Sequence, residues 1–142
     1  MNYSIKQFAK LFHTTKHTLR YYTDMGLLPC GRDGGNHRVF DDSSVNWMRG
    51  IVYLKNCGTP VKEIKQYFDL CRLEESDENL QARYQIILKQ REQAHRKLEE
   101  ARVTAAYMDE KLKHYEDILA GRIPDDMNPA NWEQGVDRKG LF

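Results

Sequence analysis

Between Ser76 and Ala120 the chain contains neither glycine nor proline. Within that stretch Leu80, Tyr84, Ile87, Arg91, Ala94, Leu98, Ala101, Ala105, Met108, Leu112, Tyr115 and Leu119 recur at alternating spacings of four and three. This is an a/d heptad register, and it predicts a single helix about 60 Å long over residues 76–120. The rest of the chain offers only about 70 residues ahead of it, too few to bury so long a seam. The economical partner is a second copy of the same helix; the alternative is a helix lying across its own domain. Ala94, Ala101 and Ala105 permit close approach, while Arg91 on the seam constrains register or pairs with an acid across it.

The length of 142 residues is about one domain's worth and excludes a large catalytic fold joined to a separate regulatory domain. Charged residues make up 30% and the mean hydropathy is −0.77, which suits a surface-rich helical architecture. No apolar run approaches the ~18 residues of a membrane span, and the start MNYSIKQFAKLF lacks the apolar stretch of a signal peptide. A cytoplasmic, membrane-free protein is expected. The net charge of +1 conceals a gradient: residues 1–65 carry +5 and residues 66–142 carry −4. Cys30, Cys57 and Cys71 form no CxxC and their spacings fit neither a zinc finger nor a ribbon, so no metal or other cofactor is expected.

Helix signals recur through the basic segment. Ser4 and Gln7 form a capping box, with Tyr3 and Phe8 placed as a hydrophobic staple. Ile5, Phe8, Ala9 and Phe12 make one apolar face of a helix ending near His13-Thr14. Thr15 is an N-cap for a second helix, Lys16 to Met25, stopped by Gly26. Two short helices with so tight a connection predict a helix-turn-helix. Thr18, Leu19 and Tyr22 share the inner face of its second helix, leaving Lys16, His17, Arg20 and Tyr21 outward near its start, where base edges and phosphates are contacted. The Gly-rich run 28–40, with Asp33-Gly34 and Gly35-Asn36 as turn chemistry, predicts a small β-hairpin that leans on the helices as a wing. Arg32, His37 and Arg38 would reach the neighbouring backbone from it. Asp41 or Asp42 caps a third helix running to about Asn56, with Val45, Met48 or Trp47, Ile51, Val52 and Leu54 apolar. Gly58 ends it, Thr59 is expected to cap a fourth helix over Val61 to about Leu73, and Pro60 takes its first position. That helix is expected to bury Val61, Ile64, Phe68 and Cys71, and its first-turn amides, with Thr59 and Lys62, are a second phosphate contact.

The run Thr18-Leu19-Arg20-Tyr21-Tyr22, then Gly26-Leu27-Leu28-Pro29, Arg38-Val39-Phe40 and Gly58, resembles the winged helix-turn-helix DNA-binding domain of the MerR family of transcriptional regulators over about residues 2–72. Two departures are visible. Thr23 stands where the family usually has an acid, which is expected to remove a salt bridge inside the domain. Asn36-His37-Arg38 replaces a Gly-Tyr-Arg-like run, which is expected to alter phosphate contacts at the wing. The fold class read here is therefore mainly α: a winged helix-turn-helix domain over 1–73, a dimerisation coiled-coil helix over 76–120, and a tail over 121–142.

The resemblance implies a homodimer joined by an antiparallel helix pair, presenting two heads to a pseudo-palindromic double-stranded promoter. It further implies activation by bending and untwisting that DNA, so that RNA polymerase is engaged indirectly, through the promoter, in response to an unidentified small-molecule effector or stress. Metal-sensing relatives place cysteines at the start of the dimerisation helix and in the loop after it, and no cysteine follows Cys71 here. Drug-sensing relatives carry a large C-terminal domain, for which the chain has no room. The length and the Tyr115 region resemble the short branch associated with aldehyde and oxidative stress, some members of which use a cysteine in the third helix. Tyr53 holds that position, and Cys57, one turn further on beside the start of the fourth helix, is the candidate redox sensor. The tail is loop-like, or else docks through Ile123, Met127, Trp132 and Phe142 beside an effector pocket. An architectural DNA binder without effector is the second class; an enzyme finds no support in any nucleophile–base pair, phosphate loop or paired carboxylates.

Overall fold

A computed structural model of the chain describes residues 1–133. Phe142 and the segment after Glu133 lie outside the described residues. The order of elements is β1 (Tyr3–Ser4), α1 (Ile5–Leu11), α2 (Lys16–Asp24), β2 (Gly31–Arg32), β3 (Arg38–Phe40), α3 (Asp42–Asn56), α4 (Val61–Cys71) and α5 (Asp77–Leu119), followed by a 3₁₀ turn at Pro129–Asn131. The chain divides into two compact units, Met1–Ala94 and a second beginning at His95.

In the first unit the N-terminal signals act as read. Ser4 and Gln7 exchange both capping-box bonds, at 3.2 and 2.8 Å, and the Tyr3 and Phe8 rings meet at 6.2 Å. Asp41, not Asp42, caps α3, its Oδ1 accepting from the Ser44 amide at 2.9 Å. The buried Ser44 hydroxyl donates to the Pro29 carbonyl, which ties the start of α3 to the segment leading into the wing. Phe8, Leu19, Leu27, Phe40, Ile51 and Ile64 are wholly buried in one core, each worth about 1.5–3 kcal/mol of burial. Phe8 stacks on Phe40 at 4.3 Å, joining α1 to the sheet. Gly50 sits in mid-α3 because a Cβ there would stand 2.7 Å from the Phe68 ring of α4.

The wing is a three-stranded antiparallel sheet in the order β1-β3-β2, with Tyr3 opposite Phe40 and Gly31 opposite Val39. The third strand, β1, has no sequence signature: two residues are too few for a period-2 pattern.

Four helices end in one way. In α1, α2, α3 and α5 the residue after the C-cap is left-handed: His13 (φ 50), Gly26 (φ 75), Gly58 (φ 83) and Gly121 (φ 72). At each, the next amide bonds back five residues, as Thr14 to Ala9, Leu27 to Tyr22, Thr59 to Leu54 and Arg122 to Asp117. This is the Schellman arrangement, whose last residue turns inward against the helix. Leu27 fills that place with a fully buried side chain.

The same geometry corrects the reading of Thr59. It is 5% exposed, its Oγ1 has no partner, and Pro60 holds the N-cap of α4 with no side-chain cap bond. Thr59 completes the end of α3 and so cannot cap α4. Helix α4 also stops at Cys71 instead of Leu73, and Arg72 beyond it donates to the Leu27 carbonyl at 2.7 Å and lies 4.6 Å from the Trp47 ring. More than three turns into α5, Lys89 and Gln90 tie it to α4 through Glu63, which accepts from Lys89 at 2.9 Å and from Gln90.

In the second unit, α5 continues to Leu119 and the tail folds back on itself. Met127 is buried, the Trp132 Nε1 donates to the Asp126 carbonyl at 2.9 Å, and His114 Nε2 lies 2.6 Å from Asp126 Oδ1. The described part of the tail is therefore docked, with Ile123 half-buried beside it.

Candidate nucleic-acid interface

Helix α2 is built to present one polar edge. Thr15 Oγ1 accepts from the Thr18 amide at 3.1 Å and fixes the helix start. Leu19 and Tyr22 then point into the core, which leaves Lys16, His17, Arg20 and Tyr21 exposed on the opposite side. No ion pair among the described residues engages Lys16, Arg20 or Lys62, so their charges face solvent uncompensated. His13 and His17, four apart in sequence, lie on opposite sides of the α1–α2 turn, so their spacing is not that of a helical ligand pair. Among the described residues no group of three His, Cys, Asp or Glu side chains is placed to hold a metal ion.

The wing tip is held by its own backbone. Asp33 Oδ1 accepts from the amides of Gly35 and His37, both at 2.9 Å, and these bonds, chiefly that from His37, keep its carboxyl below the usual carboxylate range. Asn36 takes the left-handed conformation that the turn requires (φ 61). Arg32 donates to the Asn36 carbonyl at 3.1 Å while remaining exposed, and His37 is exposed at the tip.

Arg38 is placed differently. Its side chain is 17% exposed. Nε donates to the Thr23 hydroxyl at 3.0 Å and Nη2 to Asp24 Oδ1 at 2.6 Å. The expected loss of a salt bridge at Thr23 is thus overturned: the pair forms with Asp24 one residue later, and Thr23 adds a hydrogen bond. Arg38 joins the wing to the end of α2. Sequence spacing gave no hint of Asp24, because the pairing spans 14 residues and depends on how the hairpin packs.

Cys57 is exposed and occupies the C-cap of α3. It closes the carboxyl end of α3 and is not part of the first turn of α4, beside which its sequence neighbourhood had placed it. Lys62 is exposed in the first turn of α4. The buried Thr59 hydroxyl does not share that surface. Of the two side chains expected to contact phosphate at this turn, only that of Lys62 is exposed.

A helix-turn-helix with a free basic edge, flanked by a wing whose arginine is locked to the recognition helix, matches a known pattern. The family model for the MerR HTH family of regulatory proteins matches residues 3–71. The chain belongs to the MerR family of transcriptional regulators. That family is a DNA-binding, non-enzyme family. An uncharacterised HTH-type transcriptional regulator of Haemophilus influenzae is 27% identical over 121 residues, 84% of this chain and 88% of its own length. The regulator AdhR of Bacillus subtilis is 32% identical over 90 residues, 63% of each chain. Among solved structures, HiNmlR, a MerR family regulator lacking the sensor domain and bound to promoter DNA, aligns with a TM-score of 0.67 at 27% identity, covering 84% of this chain and 90% of that one. A MerR family regulator from Bacillus thuringiensis aligns with a TM-score of 0.63 at 28% identity, covering 81% of this chain and all of that one.

Proposed function

We propose that this MerR-family regulator acts as a homodimer that reads a pseudo-palindromic promoter through two copies of α2, and that an effector or stress signal makes it distort that promoter. The observation that carries the dimer is the α5 seam. Leu80, Tyr84, Ile87, Leu98, Met108, Leu112, Tyr115 and Leu119 are all exposed in the single chain, whereas an a/d seam is stable only when paired. Antiparallel pairing would set the two heads at opposite ends of the coil, related by a two-fold axis that a palindrome matches.

In this reading Lys16, His17, Arg20 and Tyr21 face the major groove, with Thr15 capping their helix at the phosphate backbone. Arg32, His37 and Lys62 supply flanking phosphate contacts. Arg38 acts as a positioning residue that holds the wing against α2. Activation by distortion draws on DNA deformability as well as base contacts. RNA polymerase then senses the protein through the promoter's shape. The neighbour bound to promoter DNA supports a DNA partner for this chain.

The test is a gel shift and footprint of the full-length chain on its own upstream DNA. A protected palindrome and an Arg20→Ala variant weakened by about 1–3 kcal/mol are expected. Equal affinity for scrambled DNA would defeat the regulator reading. Cys57→Ser that leaves an inducer response intact removes Cys57 as the sensor.

A further inference from the structure

The head carries a crevice that none of the contacts above uses. It lies where the α1–α2 turn meets the end of α3 and has a volume of about 170 Å³. Phe12 and Tyr22 form part of an apolar floor, and His13, Thr14, Lys55 and Asn56 supply the polar rim. No acidic residue lines it. The Lys55 ammonium stands 6.0 Å from the Tyr22 ring. Neither Lys55 nor the His13 imidazole has a hydrogen-bonding or ion-pair partner among the described residues.

Three features narrow what the crevice takes. Small-molecule pockets run to about 300–1,000 Å³, so this one suits a group of a few atoms. It exceeds the roughly 30 Å³ share of one water, so it holds more than a single solvent molecule. Its polar groups are an ammonium, an imidazole, a hydroxyl and an amide with no carboxylate among them, a set that favours an oxyanion. His13 stands there at a backbone cost, in a left-handed conformation that glycine fills at the three other helix ends of this kind.

We infer that this crevice is a seat for a phosphate oxyanion. Thr14 is followed directly by Thr15 and Lys16, the cap and first residue of α2. A DNA strand running past the start of the recognition helix brings its backbone to that point, so the source is a phosphate of the bound duplex. Lys55 supplies the charge, and His13, Thr14 and Asn56 supply directional hydrogen bonds. The wing grips the backbone on one flank of α2 and this seat grips it on the other. The choice of source rests on the DNA reading above; the seat itself does not.

The experiment measures the salt dependence of binding by the full-length chain to a duplex selected from random DNA. Each neutralised phosphate contributes about 0.9 to the slope of log K against log salt. Lys55→Gln is expected to lower the slope by about one and Lys55→Arg to retain it. His13→Gly is expected to weaken binding several-fold while leaving the head folded, because glycine suits φ 50. In parallel, inorganic phosphate is titrated against the free protein and the His13 imidazole resonances are followed. Should the slope stay constant while phosphate shifts His13 in the parent and not in Lys55→Gln, the seat stands and takes a free anion. An unchanged slope together with unmoved resonances overturns it. If the parent binds no duplex at all, the DNA reading fails separately, and the phosphate titration alone decides the seat.

Discussion

His13 and Thr59 are each placed by a Schellman helix end, and both leave a measurable imprint. A non-glycine residue in the left-handed region costs about 1–2 kcal/mol. His13→Gly should therefore raise stability by about 1 kcal/mol, read as a higher urea midpoint with unchanged slope. A lower midpoint would mean that the imidazole is held by packing. Thr59 buries a hydroxyl without a partner, and an unmade buried hydrogen bond costs about 1–3 kcal/mol. Thr59→Val keeps the shape and removes the orphan, so stability is expected to rise or hold. DNA affinity should not change; a loss of affinity would show the hydroxyl reaching a phosphate after all. Capping residues at helix starts were legible in sequence because a side chain and its amide lie three residues apart. The inward turn of Thr59 was not, since it follows from the backbone of the helix before it.

The join between α4 and α5 has its own pH signature. Glu63 accepts hydrogen bonds from Lys89 and Gln90, and the bond from Lys89 holds its carboxyl below the ordinary value of 4.5. A depressed folded-state value means that the carboxylate stabilises the join above the unfolded value and loses that contribution as pH falls through the folded one. Hydrogen-exchange protection at the amides of residues 86–90 should thus hold above the ordinary carboxylate value of 4.5 and fall away as the pH drops below it. Glu63→Gln should flatten that profile; an identical acid transition in the variant would place its origin elsewhere. The wing shows the same division of legibility. Asp33-Gly34 and Gly35-Asn36 announced a turn, but β1 and the Asp24 partner of Arg38 depend on packing between segments far apart in the chain.

For the whole molecule, the proposed dimer rests on the exposed seam of α5. Leu98, at the midpoint of α5, is exposed in the single chain, and a charge there would face its counterpart across an antiparallel pair. Leu98→Glu is expected to shift the chain from dimer to monomer in sedimentation equilibrium and to weaken binding to a palindrome far more than to a half-site. A variant that stays dimeric would remove this seam from the interface. The net charge of +1 is unevenly spread, with +5 on residues 1–65 and −4 on residues 66–142, which hold the second half of α4 and the whole of α5.

The sequence alone was sufficient for the helices, the capped starts of α1 and α2, the glycine stops at Gly26 and Gly58 and the hairpin. These are local or periodic features, set by dihedral preference and by which side chains share a face. It was also sufficient for the exposed edge of α2, because periodicity that buries Leu19 and Tyr22 leaves Arg20 and Tyr21 outside. Only the tertiary structure decided that Arg38 turns inward to Asp24, that Thr59 is buried, that Met127 and Trp132 dock the tail, and that Lys55 meets His13 across a crevice. Each of these joins residues of separate elements or turns on how one element ends. Their positions follow from how the core closes, and local spacing does not encode that.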